Sequence, residues 1–169
     1  QAGAMTKGEL GEELSDIAGM AAAGVPVSFR RWQICYESKP LQAGDGRSVK
    51  AGLPIFDHCE DMSLRGNGCM NEDENAKRLG LPGICNSTED TIAVRDSLLA
   101  IETGAKLHLC HCSTKGVAIM MKMLKAEGIE NVTAEVCPHH FILTSDDIER
   151  DDPNYKMNPP LRTRKMWRR

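Results

Sequence analysis

Lys106-Leu-His-Leu-Cys110, a helical face of Val117, Ile119, Met120, Met123 and Leu124 ending before Gly128, and the run Asn131-Val-Thr-Ala-Glu-Val136 together decide the fold. The two short apolar runs, each entered from a turn, read as buried strands. The spacing between them is that of a helix packed on one face. A strand, a helix and a strand in this order imply parallel strands joined by a helical crossover. The pattern repeats upstream, where Leu53 to Phe56 reads as a strand and Ser87-Thr-Glu-Asp90 as a helix start. There the hydroxyl can accept from free amides and the acids suit the helix dipole. That helix is expected over Thr91 to Glu102, with Ile92, Leu98, Leu99 and Ile101 apolar, and it stops at Gly104. The class is therefore α/β.

Outside this frame, Lys7 to Ala23 reads as one amphipathic helix and Asp146 to Asp152 as an acidic surface loop. Asn158-Pro-Pro160 fits neither a helix interior nor a central strand. The glycines of Arg65-Gly-Asn-Gly68 match no phosphate-binding fingerprint and are expected to shape a loop. No internal domain boundary is visible. The 169 residues are 41% hydrophobic and 27% charged with a net charge of -3, enough apolar material for a core and too little imbalance for disorder. The charge balance also argues against nucleic acid as a partner, and no apolar run approaches the roughly 20 residues that cross a bilayer. Small molecules or proteins remain. Seven cysteines, with no C-x-x-C pair and no secretory segment, point to a reducing cytoplasm.

Histidines carry the chemical signal. His58 follows the first of the strands, His111 the second, and His139 and His140 the third. Ligand-binding groups of parallel α/β folds gather at the carboxyl ends of strands, so three strands deliver imidazoles to one rim. Imidazole is a common zinc ligand, and a catalytic zinc keeps one position open for water. Glu60 and Asp61 are candidates for orienting a ligating ring, with a solvated acidic loop as the plainer reading. His108 lies inside its strand and reads as a hydrogen-bonded histidine beside the core. Cys110-His-Cys112, with Cys59 and Cys137, leaves a thiolate-rich structural zinc module as another reading, against that of small buried apolar residues.

Five phrases in order then point to a family: Gly3-Ala-Met-Thr-Lys-Gly8, Leu53-Pro-Ile-Phe-Asp-His-Cys-Glu-Asp61, Leu107-His-Leu-Cys-His-Cys-Ser-Thr114, Thr133-Ala-Glu-Val-Cys-Pro-His-His140 and Tyr155-Lys-Met-Asn-Pro-Pro-Leu-Arg162. Together they resemble class I dihydroorotase, of the amidohydrolase superfamily. The resemblance implies a partial (β/α)8 TIM-type barrel, with central strands and helices only, and a binuclear zinc centre in the complete enzyme. It implies reversible hydrolysis of L-dihydroorotate to N-carbamoyl-L-aspartate in pyrimidine biosynthesis. Allantoinases and hydantoinases are the related alternatives, and a non-catalytic dihydroorotase-like assembly subunit is another. On the matching positions His58 and His111 are expected as metal ligands and Asn158 as a substrate-binding side chain. The partners implied are the small-molecule substrate, a second copy of the chain, or another pyrimidine-pathway enzyme. Arg162 suits a substrate carboxylate chemically, but a structural salt bridge is the favoured reading.

Residues 1–169 are thus expected to be the central part of one barrel domain, with the family's His-x-His-x-Arg motif upstream of Gln1 and its proton-shuttling aspartate downstream of Arg169. No catalytic residue is expected within the segment, and the fragment alone is expected to be inactive. One departure lies inside it. Where the family has Ser-Asp-Asp-Gly, this chain has Phe29-Arg-Arg-Trp32, placing Arg31 at a metal-ligating aspartate. An arginine cannot ligate zinc. A back-translation of Val27 to Glu37 read one base later gives Phe-Leu-Ser-Asp-Asp-Gly-Lys-Ser-Val-Met, and Lys165 to Arg169 gives Lys-Asp-Val-Glu-Ala when one base is restored. Frame shifts over about 27–49 and 166–169 are therefore expected, and they remove both tryptophans, Trp32 and Trp167.

Overall fold

A computed structural model describes residues 2–30 and 38–167, and the side chains of 38–41 and 167 lie outside that description. Five strands, β1 (Gly3–Ala4), β2 (Ser28–Arg30), β3 (Ile55–Asp57), β6 (Leu107–Leu109) and β7 (Val132–Ala134), form one sheet. All its pairings are parallel and its strands lie side by side in chain order. Helices α1 (Ile17–Ala22), α2 (Ser38–Ala51), α5 (Ser87–Thr103) and α6 (Lys115–Ala126) cross between successive strands. Between β3 and α5 the chain adds α3 (Met62–Arg65), α4 (Glu74–Leu79) and a two-stranded parallel sheet of β4 (Met70–Asn71) and β5 (Gly83–Ile84). A short α7 (Pro138–Ile142) follows β7.

This is a run of β/α units, the architecture of part of a barrel. The expected strands are present but shorter than read, and α5 begins four residues earlier, after Asn86, whose side chain makes no capping bond. Lys7 to Ala23 is not one helix. Gly8, Glu9 and Gly11 all take positive φ, which turns the chain through a 3-10 segment, and helix resumes at Ile17 behind the Asp16 cap. Helix α2 forms although it contains Gly44 and Gly46, each worth about 1 kcal/mol against a helix. Gly44 allows a close approach: a Cβ there would lie 2.8 Å from Met5 Sδ.

Alternation sorts the strand residues between two faces. Ile55, Leu107, Leu109 and Val132 are buried toward the helices with Ala93, Ala100 and Val117. Phe56 and His108 share the other face, with their rings 4.8 Å apart, and His108 bonds Thr133. A second, smaller core of Met70, Ala76, Ile148 and Leu161 anchors the segment after α7 to the β4–β5 sheet.

On the helix side of β2 and β3 lies a cluster of buried charge. Arg30 Nη2 meets Asp45 Oδ1 at 2.5 Å and its Nη1 meets Asp96 Oδ2 at 3.1 Å, with Asp57 beside them. Burial, added to the charge of Asp96, pushes Asp57 well above the usual carboxylate range, so it holds a proton toward Asp96. Burial also raises Asp45, to about 6, in spite of Arg30. Arg30 Nε, Asp45 Oδ2 and the hydroxyls of Ser28 and Ser48 are buried without a hydrogen-bond partner. Such atoms are uncommon in a well-matched interior.

Helix α4 offers a test of local design. The Asp73 side chain accepts from the Ala76 N–H at 3.0 Å and from the Asn71 amide at 2.8 Å. Burial raises its pKa, but the hydrogen bonds outweigh this and hold it below the ordinary value. Asp73→Ala is expected to cost about 1 kcal/mol near neutral pH. A depressed folded pKa gives stability that is present above the unfolded value of about 3.9 and lost as pH falls through the folded value. Urea unfolding of both proteins should therefore show the difference shrinking on the acid limb.

Candidate functional site

The site is built at the carboxyl ends of β3 and β6. The ladder continues past both strands: the His58 N–H donates to Arg30 O, the Cys110 N–H to Asp57 O and the Cys112 N–H to Glu135 O. This holds His58 and His111 on one rim. Their rings meet edge to face at 4.6 Å, with His58 Nδ1 2.9 Å from His111 Nε2. His111 takes φ of +38°, a conformation that costs a non-glycine residue energy and clusters at functional sites. Burial, and then the neighbouring His58, push the His111 pKa down, favouring a neutral ring.

Glu60 organises this pair. It is 4% exposed, and its Oε2 lies 3.2 Å from His58 Nε2 while its Oε1 meets Arg65 Nε at 3.0 Å. The Asn158 amide donates to both Glu60 oxygens at 3.0 Å, closer than its 3.4 Å approach to His58. Burial raises the Glu60 pKa, but the bonds from His58 and Asn158 outweigh it and hold the group below its ordinary value. The carboxylate thus accepts a hydrogen bond from His58 Nε2–H, which turns the Nδ1 lone pair toward His111. Of the two acids considered in the sequence, Glu60 orients the ring, whereas Asp61 caps α3 through Ser63 and Leu64. The structure brings His58 against His111 and binds both His58 and Asn158 to Glu60. Arg31 lies outside the described residues.

Among the described residues, Cys59, Cys110, Cys112 and Cys137 form no single metal-ligating group. Cys59 meets Asp57 and Cys112 meets a backbone carbonyl, and burial raises both thiols. Burial, reinforced by Glu135, raises Cys110 to about 11. Two groups among the described residues do place metal-ligating atoms within 4.8 Å of one another: His108, Cys110 and Glu135, and Cys137, His139 and His140.

The profile of dihydro-orotase-like proteins matches residues 2–117. The chain belongs to the dihydro-orotase-like family. Among curated relatives of this family, the dihydroorotase of Staphylococcus epidermidis is 42% identical over 160 residues, 95% of this chain and 37% of that protein. The dihydroorotase of Lactobacillus helveticus is 41% identical over 164 residues, 97% of this chain and 38% of its own length. The chain thus spans well under half of these relatives. Among solved structures, the L-hydantoinase of Arthrobacter aurescens superposes with a TM-score of 0.72 at 23% identity, over 98% of this chain and 38% of that one. A dihydroorotase from Campylobacter jejuni gives 0.60 at 17%, over 89% and 41%. These likenesses establish the barrel architecture. No helix among the described residues is long and apolar enough to cross a membrane.

Behind the rim of this dihydro-orotase-like chain sits a carboxylate that the sequence had suggested only as a helix-dipole acid. Glu89, in the first turn of α5, accepts from Ser113 N at 2.7 Å, from Thr114 N at 3.2 Å and from the Ser113 hydroxyl. Arg162, 2% exposed, reaches it at 3.4 Å and also holds Ser113 Oγ, Asn71 Oδ1 and Ile84 O. Arg162 is thus a buried structural partner, the reading favoured from the sequence. Glu89→Ala leaves a buried, uncompensated guanidinium and is expected to cost about 3–5 kcal/mol. Chemical unfolding should show that loss, and Glu89→Leu combined with Arg162→Leu should lose less than the sum of the two single changes.

Proposed function

We propose that this chain is the central part of a zinc-dependent dihydroorotase, interconverting L-dihydroorotate and N-carbamoyl-L-aspartate in pyrimidine synthesis. The observation that carries this reading is the convergence of His58 and His111 from adjacent strand ends, with Asn158 bound to the same carboxylate. Its substrate class is supported by curated relatives named dihydroorotase at about 40% identity. The hydantoinase neighbours, at 23% identity or less, speak only for the fold.

The donor set fits a zinc ion on its chemistry. Two nitrogens on one tetrahedral zinc lie about 3.3 Å apart for bonds of roughly 2.0 Å. The observed 2.9 Å needs only a few tenths of widening. His58 Nδ1 and His111 Nε2 would hold the ion, with the further ligands that the family resemblance implies completing it. When bound, zinc supplies polarisation of the scissile amide carbonyl and a more acidic water. Glu60 keeps His58 in the ligating tautomer. Asn158, its amide nitrogen already given to Glu60, has its carbonyl oxygen left to accept from a ring N–H of the substrate. The proposed setting is cytoplasmic, with a second copy or another enzyme of the pathway as partner.

The proposal includes a frame shift over about 27–49 and again over 166–169. The unpartnered buried atoms of Ser28, Arg30, Asp45 and Ser48 support the first of these. As translated, with Arg31 at the position of the family's ligating aspartate, the chain alone is expected to be inactive.

Resequencing the coding DNA should yield an aspartate codon at position 31, and a clean frame encoding Arg31 overturns that part. The corrected full-length protein, supplied with zinc, should hydrolyse dihydroorotate, and His58→Ala or His111→Ala should reduce this to background. Asn158→Ala should lower kcat/KM about 10- to 100-fold, the loss of one or two hydrogen bonds at roughly 1.4 kcal/mol per tenfold. Turnover of hydantoin or allantoin in place of dihydroorotate overturns the substrate reading.

A further inference from the structure

The third strand end carries chemistry that the proposed reaction does not use. Cys137 precedes α7 in extended conformation, and His139 and His140 stand in its first turns. Neighbours along a helix do not usually face one another. Here the two ring centres lie 4.3 Å apart, and one ligating atom from each of the three residues lies within 4.8 Å of the others.

His140 decides what the group can do. It is 6% exposed, its Nε2 lies 3.2 Å from Pro159 O, and its Nδ1 is buried without a hydrogen-bond partner. A carbonyl can only accept, so Nε2 carries the proton. In the neutral ring Nδ1 then holds a lone pair with no donor to satisfy it. Burial lowers the pKa of this ring, which favours that neutral form. One nitrogen fixed by a carbonyl and the other bare is the arrangement of a metal-ligating histidine.

We propose that Cys137, His139 and His140 form a soft-metal site, additional to the His58 and His111 pair, that takes a zinc-class divalent cation. One thiolate and two imidazoles suit zinc, and three protein donors leave a fourth position for water. On binding, the Cys137 S–H bond breaks, sulfur keeps the electron pair and bonds the metal, and the proton leaves to solvent. On binding, the half-buried Cys137 and His139 would close on the His140 Nδ1, which has no hydrogen-bond partner. A metal at Nδ1 makes the Nε2 proton a stronger donor and tightens its bond to Pro159 O. The same segment carries Asn158, so the cation braces the side chain that rests on Glu60.

Cobalt(II) titration of the purified chain tests this. A thiolate-to-cobalt charge-transfer band should saturate at one cobalt per chain and disappear when zinc is added. It should vanish in Cys137→Ser and persist in Cys110→Ser and in His58→Ala. His139→Ala should weaken cobalt binding about tenfold or more, since losing a ligand exceeds losing an outer partner. Both Cys137 and His139 are half-buried, so their variants should keep the far-ultraviolet circular dichroism of the parent. The absence of the band in the parent chain, or its survival in Cys137→Ser, overturns the proposal.

Discussion

A buried carboxylate must be paired or it destabilises the fold, and Glu89 is paired in every direction. Its oxygens take two backbone amides and a hydroxyl from the β6–α6 turn and a guanidinium from the far end of the chain. The backbone just before that turn is His111. The guanidinium, Arg162, lies four residues beyond Asn158 and also binds Asn71 and Ile84 of the small sheet. One charge therefore fixes the relative places of two candidate site residues that are 47 positions apart in sequence. The position of Glu89 in the first turn of α5 adds the favourable end of the helix dipole. Three segments thus share one counter-charge behind the rim.

The cluster around Arg30 uses the same residue types with a different outcome. Arg30, Asp45, Asp57 and Asp96 are all buried, yet Arg30 Nε and Asp45 Oδ2 lack partners and Asp57 resolves its conflict with Asp96 by keeping a proton. Around Glu89 each donor has an acceptor. Around Arg30 polar groups are enclosed without one, as are the nearby hydroxyls of Ser28 and Ser48. A sequence matched to its fold makes its local choices agree with its packing, and here they disagree in the stretch where the two glycines of α2 also oppose the helix.

The parallel β/α order was legible in the sequence because β3, β6 and β7 are apolar runs set between helices with clear faces. The histidines at their ends were legible for the same reason, since a strand end is a definite place. The two-residue strands β1, β4 and β5 are too short to show a period, and they exist only because neighbouring strands pair with them. Lys7 to Ala23 misled because its apolar spacing is helical while Gly8 and Gly11 take positive φ. Glu60 was legible as a candidate, two residues from His58. Its second tie, to Asn158, spans 98 residues, and no local pattern encodes that. The three-way role of Glu89 was hidden likewise, because a helix start already accounts for an acid.

His58 and His140 solve one chemical problem in the same way. A neutral imidazole has two tautomers, and only one presents a lone pair in a given direction. Glu60 accepts from Nε2 in the first ring and Pro159 O accepts from Nε2 in the second, so in both the fold leaves Nδ1 with the lone pair. The acceptors differ in kind. Glu60 is charged and also holds Arg65 and Asn158, so its grip on His58 depends on ionisation and on those neighbours. The Pro159 carbonyl is a backbone group whose position depends only on the path of the chain. Because Asn158 and Pro159 are adjacent, the segment that reports on Glu60 also sets the tautomer of His140. Adjacent residues of one segment thus hold both histidines, Asn158 acting through Glu60 on His58 and Pro159 acting directly on His140.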